Sequence, residues 1–120
     1  METFKKVLKL KEVDYFQKHL EIVNSMLPVK MTPKEIEVLS NFISLKGEIA
    51  EEDRFGTTCR KIVKSRMNLK DGGLGNFLKS LKVKGFIKED ENGKLKILPF
   101  LFANSSTQVY MIKIIKDEEF

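Results

Sequence analysis

Apolar side chains recur every three or four residues along four stretches of the chain, which is the spacing of an amphipathic helix. This spacing predicts helices over residues 15–26, 33–46, 58–66 and 73–84. The second helix has the clearest start signal, because Thr32-Pro33-Lys34-Glu35 has the sequence of a capping box with proline in the first helical turn. The first two thirds of the chain are therefore expected to be mainly helical.

The residues at the helix ends agree with these boundaries. Asp14 is expected to cap the first helix, and Thr57 or Thr58 the third, because their side-chain oxygens can accept hydrogen bonds from the unpaired N–H groups of a first turn. Gly47 and Gly85 are expected to end the second and fourth helices, since glycine adopts the left-handed backbone of a helix C-terminus without strain.

The connections between the helices carry few apolar residues. Residues 47–56 are acidic and are predicted to be irregular, with Ile49 as their main apolar anchor. Residues 68–73, Asn-Leu-Lys-Asp-Gly-Gly, are predicted to form a turn, because Asn, Asp and Gly tolerate positive φ. The third and fourth helices are thus expected to be joined by a tight turn.

Beyond the fourth helix the pattern changes from helical spacing to alternation. Residues 86–89 and 94–98 are predicted to be the strands of a hairpin, because the intervening Asp90-Glu91-Asn92-Gly93 ends in Asn-Gly, a strong turn signal. Residues 109–115 predict a further strand. Together with Phe100-Leu101-Phe102, that strand is expected to complete the core, and the alternative is a surface for a dimer or another partner.

The composition is typical of a soluble globular protein. The 120 residues suit a single domain spanning 1–120, with 42% hydrophobic and 32% charged residues. The sequence shows no apolar run of membrane-spanning length and no apolar stretch of a signal peptide, and it contains one Cys. We therefore expect no membrane association, a cytoplasmic location and no internal disulfide.

The positive charge is concentrated in one segment. Between Arg54 and Lys88 the chain has ten Lys and Arg residues and one acid, Asp71, which gives a net charge of +9. The rest of the chain has twelve basic and sixteen acidic residues, a net charge of −4. Such a bias is typical of a surface that faces phosphate, whereas a merely solvated surface does not require it.

No set of residues has the pattern of a catalytic or metal site. His19, the only histidine, is expected to pack on an apolar helix face, and Cys59 is expected in the core. One His and one Cys do not supply the ligands of a usual zinc site. The segment Gly72-Gly73-Leu74-Gly75 lacks the Lys-Ser/Thr of a phosphate-binding loop and follows no predicted strand. We therefore expect a protein that is not an enzyme and that needs no cofactor.

The order of three helices followed by a hairpin resembles the winged helix-turn-helix family. The most telling part is Leu78-x-x-Leu81-x-x-x-Gly85-Phe86-Ile87, which resembles the run that closes the recognition helix and starts the wing in many bacterial and phage winged-helix proteins. The chain as a whole resembles small uncharacterised proteins of phages and mobile elements. The resemblance implies an α+β fold with a winged-helix core at about residues 32–98, to which an N-terminal helix and a C-terminal strand are added.

The resemblance also implies where nucleic acid binds. In a winged helix the second helix of the motif enters the major groove, and the wing lies by the DNA backbone. Lys and Arg on these elements neutralise phosphates, and Asn76 or Ser80 is placed to reach base edges. The predicted nucleic-acid-binding residues are Thr57, Thr58, Arg60, Lys61, Lys64, Lys70, Asn76, Lys79, Ser80, Lys82, Lys84, Lys94 and Lys96.

Two functions are compatible with these features. The first is a non-enzymatic protein that binds double-stranded DNA, a transcription or replication accessory factor of phage or mobile-element type in the host cytoplasm. The alternative is a protein–protein interaction module, either a homodimer or a subunit of a phage transcription, replication or virion assembly. The scarcity of arginine after Arg66 favours the alternative, because direct reading of guanine usually uses arginine.

Overall fold

Five α-helices and one β-hairpin form the part of the chain that the computed structural model describes, residues 6–102 and 107–116. All four predicted helices are present, with ends within three residues of the predicted ones. The elements in chain order are α1 (Glu12–Asn24), α2 (Pro33–Ile43), α3 (Glu48–Glu52), α4 (Thr57–Met67), α5 (Asp71–Val83), β1 (Ile87–Glu89), β2 (Leu95–Ile97) and a 3₁₀ turn (Pro99–Leu101). The fold is an α+β arrangement with a small antiparallel sheet.

Helix α2 lies at the centre of the core and begins with the predicted capping box. The Thr32 hydroxyl accepts a hydrogen bond from the amide of Glu35 (3.2 Å), and the Glu35 carboxylate accepts one from the amide of Thr32 (2.8 Å). Pro33 occupies the first helical position. Because α2 packs against α1, α4 and α5, it is buried around most of its circumference.

The remaining elements each contribute one apolar face to this core. The placement of Cys59 inside it confirms the prediction, and burial raises the pKa of its thiol. The spacing of the buried residues on α4 and α5 follows the predicted helical pattern. The buried apolar side chains outside α2 are Leu20, Met31, Leu45, Ala50, Phe55, Cys59, Val63, Leu74, Leu78, Leu81, Phe86, Ile87 and Leu101.

The acidic connection after α2 differs from the prediction. It contains the short helix α3, and Ile49 is 60% exposed instead of serving as the anchor. Ala50 and Phe55 are buried in its place, and the centre of the Phe55 ring lies 4.6 Å from that of Phe42 on α2. The connection therefore docks through an aromatic contact at its end, because a large ring buries more apolar area than Ile49 offers.

Arg54 closes the C-terminal end of α2. Its Nη1 donates to the carbonyl oxygens of Phe42 (2.9 Å), Ile43 (3.3 Å) and Leu45 (2.8 Å), at the end of the helix where carbonyls lack partners. The guanidinium carbon also lies 4.9 Å from the centre of the Phe102 ring. Burial lowers the pKa of Arg54, although arginine stays charged at neutral pH. Arg54, although it belongs to the basic segment, therefore stabilises the fold.

The hairpin follows the predicted pattern. Its strands pair antiparallel in the register Ile87↔Ile97, Lys88↔Lys96 and Glu89↔Leu95. The amide of Asp90 donates to the carbonyl of Lys94 (2.8 Å), and Gly93 has a φ of 76°. Glycine takes up this positive φ without the strain of a side chain, which explains why the Asn-Gly sequence favours the turn.

The predicted helix caps at α1 and α4 are wrong. Lys11 is the N-cap residue of α1, so Asp14 lies inside the first turn. Gly56 is the N-cap residue of α4, and Thr57 is already helical. A Cβ on Gly56 would lie 2.5 Å from Oδ2 of Asp53, so a larger residue there would require the Asp53 side chain to move. The tight turn from Asp53 thus sets the start of α4, and a threonine side chain does not.

The predicted C-terminal strand is also wrong. Residues 107–116 pair with no other segment that the structure describes, and five aliphatic side chains in this stretch are 67% to 92% exposed. A strand needs a neighbour to bond its N–H and C=O groups, and the described chain provides none. In the cluster Phe100-Leu101-Phe102, which precedes this stretch, Leu101 is buried and Phe100 is 54% exposed. The core is therefore completed by Leu101 rather than by a further strand.

We expect the substitution Arg54→Met to lower the free energy of unfolding by about 2–4 kcal/mol, because buried carbonyls at the end of α2 lose a charged donor. Methionine keeps the apolar stem, so the loss reports on the hydrogen bonds. Urea denaturation measures the effect. Lys46→Met, at an exposed position beside the same helix end, serves as the control and is expected to change stability by less than about 0.5 kcal/mol. Equal effects of the two substitutions would contradict the capping role.

Candidate nucleic-acid interface

Helices α4 and α5 form the helical part of the predicted interface. They are joined by residues 68–70, and Asn68 ends α4 in the left-handed conformation with φ 55°. Because α5 begins at Asp71, Gly72 and Gly73 lie in its first turn and not, as predicted, in the connection. The short connection keeps α4 and α5 in contact with each other, and both pack against α2.

Three lysines of this helix pair make no ion pair and donate no hydrogen bond within the described residues. They are Lys61 on α4, Lys70 immediately before α5, and Lys79 on α5, and all three are exposed. Asn76 is exposed three positions before Lys79, so the two side chains share one surface of α5. This surface lies away from the buried leucines of the helix, and it is open to a ligand.

The hairpin contributes a pair of like charges. Its register places Lys88 directly opposite Lys96, which puts both side chains on one face of the sheet. Both are exposed, and neither forms an ion pair in the part of the chain described. Like charges directly opposite each other destabilise a strand pair, and a bound anion relieves that repulsion. Lys88 was not among the predicted residues, because the opposition to Lys96 follows from the strand register.

On α4, α5, their connection and the hairpin, the lysines that form no ion pair and donate no hydrogen bond to a described residue are Lys61, Lys70, Lys79, Lys88 and Lys96, and we call them the five free lysines. The predicted positions Thr57, Thr58 and Asn76 are exposed as well. The free lysines occupy α4, the start and middle of α5, and both strands of the hairpin. Four of them belong to the basic segment between Arg54 and Lys88, and Lys96 lies on the second strand of the hairpin.

Four other predicted cations are engaged inside the chain. Two donate to backbone carbonyls, and two form ion pairs with carboxylates. The partner of Lys64 is Asp71, and its side-chain hydrogen bond holds the pKa of that carboxyl below its usual range. The contacts are Arg60 Nε to the Phe55 carbonyl (2.6 Å), Lys94 Nζ to the Glu52 carbonyl (3.3 Å), Lys64 to Asp71, and Lys82 Nζ to Glu89 Oε1 (2.6 Å).

The two remaining predicted residues are Ser80 on α5 and Lys84 at its C-terminal end. Both are held by a buried carboxylate. Glu35 is 2% exposed, and its Oε2 accepts a hydrogen bond from Ser80 Oγ (2.6 Å). Its Oε1 accepts one from Lys84 Nζ (2.6 Å) as well as the capping-box bond from Thr32. Burial favours a higher pKa for Glu35, but the hydrogen bonds from Lys84, Ser80 and Thr32 outweigh it and lower the pKa to about 2. Ser80 therefore positions α5, and its hydroxyl is not directed to a ligand.

His19 lies in the core side of α1, as predicted, and meets the C-terminal segment there. Its Nδ1 is 2.5 Å from the hydroxyl of Tyr110, and the ring is 5% exposed. Burial lowers the pKa of His19, and the backbone of Leu101 and Phe100 opposes that shift. The histidine therefore acts as a packing residue that fixes Tyr110 against α1.

The described ranges hold neither a group of metal-ligating side chains nor a membrane-crossing helix. Nowhere in residues 6–102 and 107–116 do three His, Cys, Asp or Glu side chains come together in a way that could hold a metal ion. No helix in the same ranges combines the length and the apolar character needed to cross a bilayer.

The buried carboxylate makes a prediction about pH. The pKa of Glu35 is lowered from 4.5 to about 2 on folding. The ionised carboxylate therefore adds to the free energy of unfolding above pH 4.5, and this stabilisation is lost as the pH falls from 4.5 towards 2. That contribution is about 3 kcal/mol, and Glu35→Gln is expected to remove most of it at neutral pH. Urea denaturation from pH 7 to pH 3 measures both effects. Glu37→Gln, at a less buried carboxylate on the same helix, serves as the control. A variant Glu35→Gln as stable as Glu37→Gln would contradict the prediction.

Comparisons with known proteins complete the description of the interface. The chain matches no family model, no curated protein and no solved structure among those with which it was compared. The likeness to winged helices therefore rests on the residues and on the element order. What the surface binds has to be inferred from its own geometry and charge.

Proposed function

We propose that the protein is a non-enzymatic winged-helix protein that binds double-stranded DNA through α4, α5 and the hairpin. The order of α2, α4 and α5 followed directly by an antiparallel hairpin supports the winged-helix assignment. The packing of both α4 and α5 on α2 supports it further. In such a fold α5 enters the major groove, α4 lies across the backbone, and the hairpin contacts the neighbouring phosphates.

The observation that carries the proposal is the set of five free lysines. Folding uses the other basic residues of the segment in hydrogen bonds and ion pairs, but it leaves these cations exposed on the elements that face DNA in a winged helix. The opposition of Lys88 and Lys96 has a cost in the free protein. Phosphate groups would neutralise both lysines, so the surface is better suited to an anionic partner than to water.

The same surface is poor in groups that read sequence. On α5, Asn76 is an exposed amide that can pair with an adenine edge in the major groove. Ser80 is held by Glu35, and α5 contains no arginine. We therefore infer that phosphate contacts supply most of the affinity and that sequence discrimination is modest. This combination suits an accessory factor of transcription or replication, and the resemblance to phage and mobile-element proteins supports that setting.

A second candidate function, a protein-interaction module, is favoured by a different observation. The aliphatic side chains of residues 109–115 are exposed, which is unusual for a free soluble chain. Co-purification of a stoichiometric protein partner, with no nucleic acid and no binding to duplex DNA, would favour this candidate over the first.

Reversal of two of the five free lysines should weaken DNA binding. We expect Lys61→Glu with Lys79→Glu to lower the affinity for a duplex of about 20 base pairs roughly a hundredfold, or about tenfold per site, because each change removes a phosphate contact and adds a repulsion. Fluorescence anisotropy at fixed salt measures the affinity. The matched control, Lys9→Glu with Lys46→Glu, changes the net charge equally at exposed positions outside α4, α5 and the hairpin. Equal losses in both variants would argue against a localised interface.

The paired lysines of the hairpin allow a test in which stability and binding change in opposite directions. Lys88→Glu replaces a like-charge pair with an opposite-charge pair, so it should raise the free energy of unfolding by about 0.5 kcal/mol. The same change should weaken duplex binding, because a phosphate contact becomes a repulsion. Urea denaturation and anisotropy measure the two effects. A variant that binds DNA as tightly as the natural chain would exclude the hairpin from the interface.

A further inference from the structure

The outer edge of β2 is free and borders an apolar groove. A cavity of about 330 Å³ lies between the end of α3 and the hairpin. It is lined by the apolar residues Phe55, Leu95, Ile97, Pro99 and Phe102 and by the charged residues Glu51, Arg54 and Lys96. The size falls at the small end of the range for ligand sites, and the groove lies along a strand rather than at the end of one.

The hydrogen-bond pattern of the hairpin identifies which backbone groups are free at this edge. Leu98 donates to the carbonyl of Phe86 (3.1 Å), and Asp90 donates to that of Lys94 (2.8 Å). Since antiparallel residues alternate, the N–H and C=O groups of Leu95 and Ile97 point away from β1. Within the described residues these groups make no backbone hydrogen bond. An extended segment laid in the groove would satisfy them and would bury its apolar side chains.

The chain contains a segment with the properties of such an added strand. Residues 109–115 are rich in β-branched and apolar residues, but their backbone makes no hydrogen bond to any described residue. The exposed aliphatic side chains alternate between the two faces of an extended strand, so one groove would bury those on one face. In a reciprocal exchange each partner contributes one such face and one groove, which raises the buried area towards the about 800 Å² per partner of a stable interface. The segment therefore offers strand-forming residues, and the β2 edge offers a strand position.

The groove carries charges of both signs, because Arg54 and Lys96 line it together with Glu51. The segment carries Lys113 and Lys116, both exposed. Glu51 is therefore the groove residue whose charge is opposite to that of the segment, and a contact with it would help to set the direction of an added strand.

The contact of Tyr110 with His19 favours insertion of the segment into the groove of a second copy rather than into the groove of its own chain. That contact holds the segment against α1, on the side where Phe100 and Leu101 approach the histidine ring. The segment keeps this part-buried hydrogen bond only while Tyr110 stays against α1, and the loss of the bond has a cost. The segment can enter the groove of a second copy with the contact intact, and two-fold symmetry then fills both grooves.

We propose that residues 109–115 of one protomer add as a third strand to the free edge of β2 in a second protomer, and that the exchange is reciprocal. The result is a two-fold dimer in which each hairpin becomes a three-stranded sheet. This inference goes beyond DNA binding and does not depend on it, because the dimer forms without nucleic acid.

Sedimentation equilibrium of the full chain without DNA tests the dimer. We expect twice the mass of one chain at micromolar concentrations. Ile114→Asp, at a position 91% exposed, should weaken dimerisation at least tenfold and leave the fold unchanged by circular dichroism. Val83→Asp, at an 80% exposed apolar position on α5, is the control and should remain dimeric. A full chain that is monomeric at 100 µM, or equal loss in both variants, would overturn the proposal.

Disulfide cross-linking tests which surfaces meet, and Cys59 does not interfere because it is buried. Lys96→Cys and Lys113→Cys are made in separate chains, which are mixed and oxidised. Rapid formation of the mixed disulfide dimer supports the proposal. A disulfide dimer formed mainly by Lys113→Cys alone would show pairing between two C-terminal segments and would overturn it. A further chain carries both substitutions, Lys96→Cys and Lys113→Cys. If this chain forms a monomer with an internal disulfide, each segment fills its own groove, and this would also overturn the proposal.

Discussion

A buried carboxylate, that of Glu35, links the beginning of α2 to the end of α5. It completes the capping box with Thr32 and accepts hydrogen bonds from Ser80 and Lys84, which lie 45 and 49 positions further along the chain. A buried charge is tolerated only when it is fully paired, and this one has donors on both of its oxygens. The position of α5 relative to the core therefore depends on this side chain together with the buried leucines of α5, and so does the surface that α5 presents.

This constraint divides the basic segment into two sets. One set serves the fold: Lys84 pairs with Glu35, Arg54 closes the end of α2, and other cations bond to nearby carbonyls or carboxylates. The other set consists of Lys61, Lys70, Lys79 and Lys88, and Lys96 on the hairpin completes the five free lysines. The net charge of the segment thus overstates what a ligand encounters, because several cations are already neutralised inside the molecule. The remaining lysines are arranged along two helices and a hairpin, where they can follow a line of phosphates.

The local parts of the fold could be predicted from the sequence. The capping box at Thr32, the hairpin turn at Gly93 and the four long helices depend on residues close together in the chain. Two local features, the helix starts at Lys11 and Gly56, were not predicted, and the other contacts that the sequence did not reveal are distant ones. Phe55 displaced Ile49 as the anchor because its partner is Phe42 on α2, and the carbonyls bound by Arg54 are likewise separated from it in sequence.

In the candidate site, too, the local features could be predicted from the sequence, whereas the contacts between distant residues could not. Helical spacing was enough to place Lys61 and Lys79 on exposed surfaces, and the predicted turn did the same for Lys70. It could not show that Ser80 is turned towards a buried acid, or that Lys88 faces Lys96, because both facts depend on tertiary contacts. For residues 109–115 the sequence indicated strand-forming character, but strand formation also requires a neighbour, and a single chain does not reveal where that neighbour lies.

The salt dependence of duplex DNA binding tests the central claim most directly. If the five free lysines each neutralise one phosphate, the logarithm of the affinity should fall linearly with the logarithm of the salt concentration, with a slope of about −4 to −5. Anisotropy titrations between 50 and 300 mM salt measure this slope, whose steepness counts the phosphates contacted. A slope near zero, or no binding at 50 mM salt, would contradict the assignment of this surface to DNA.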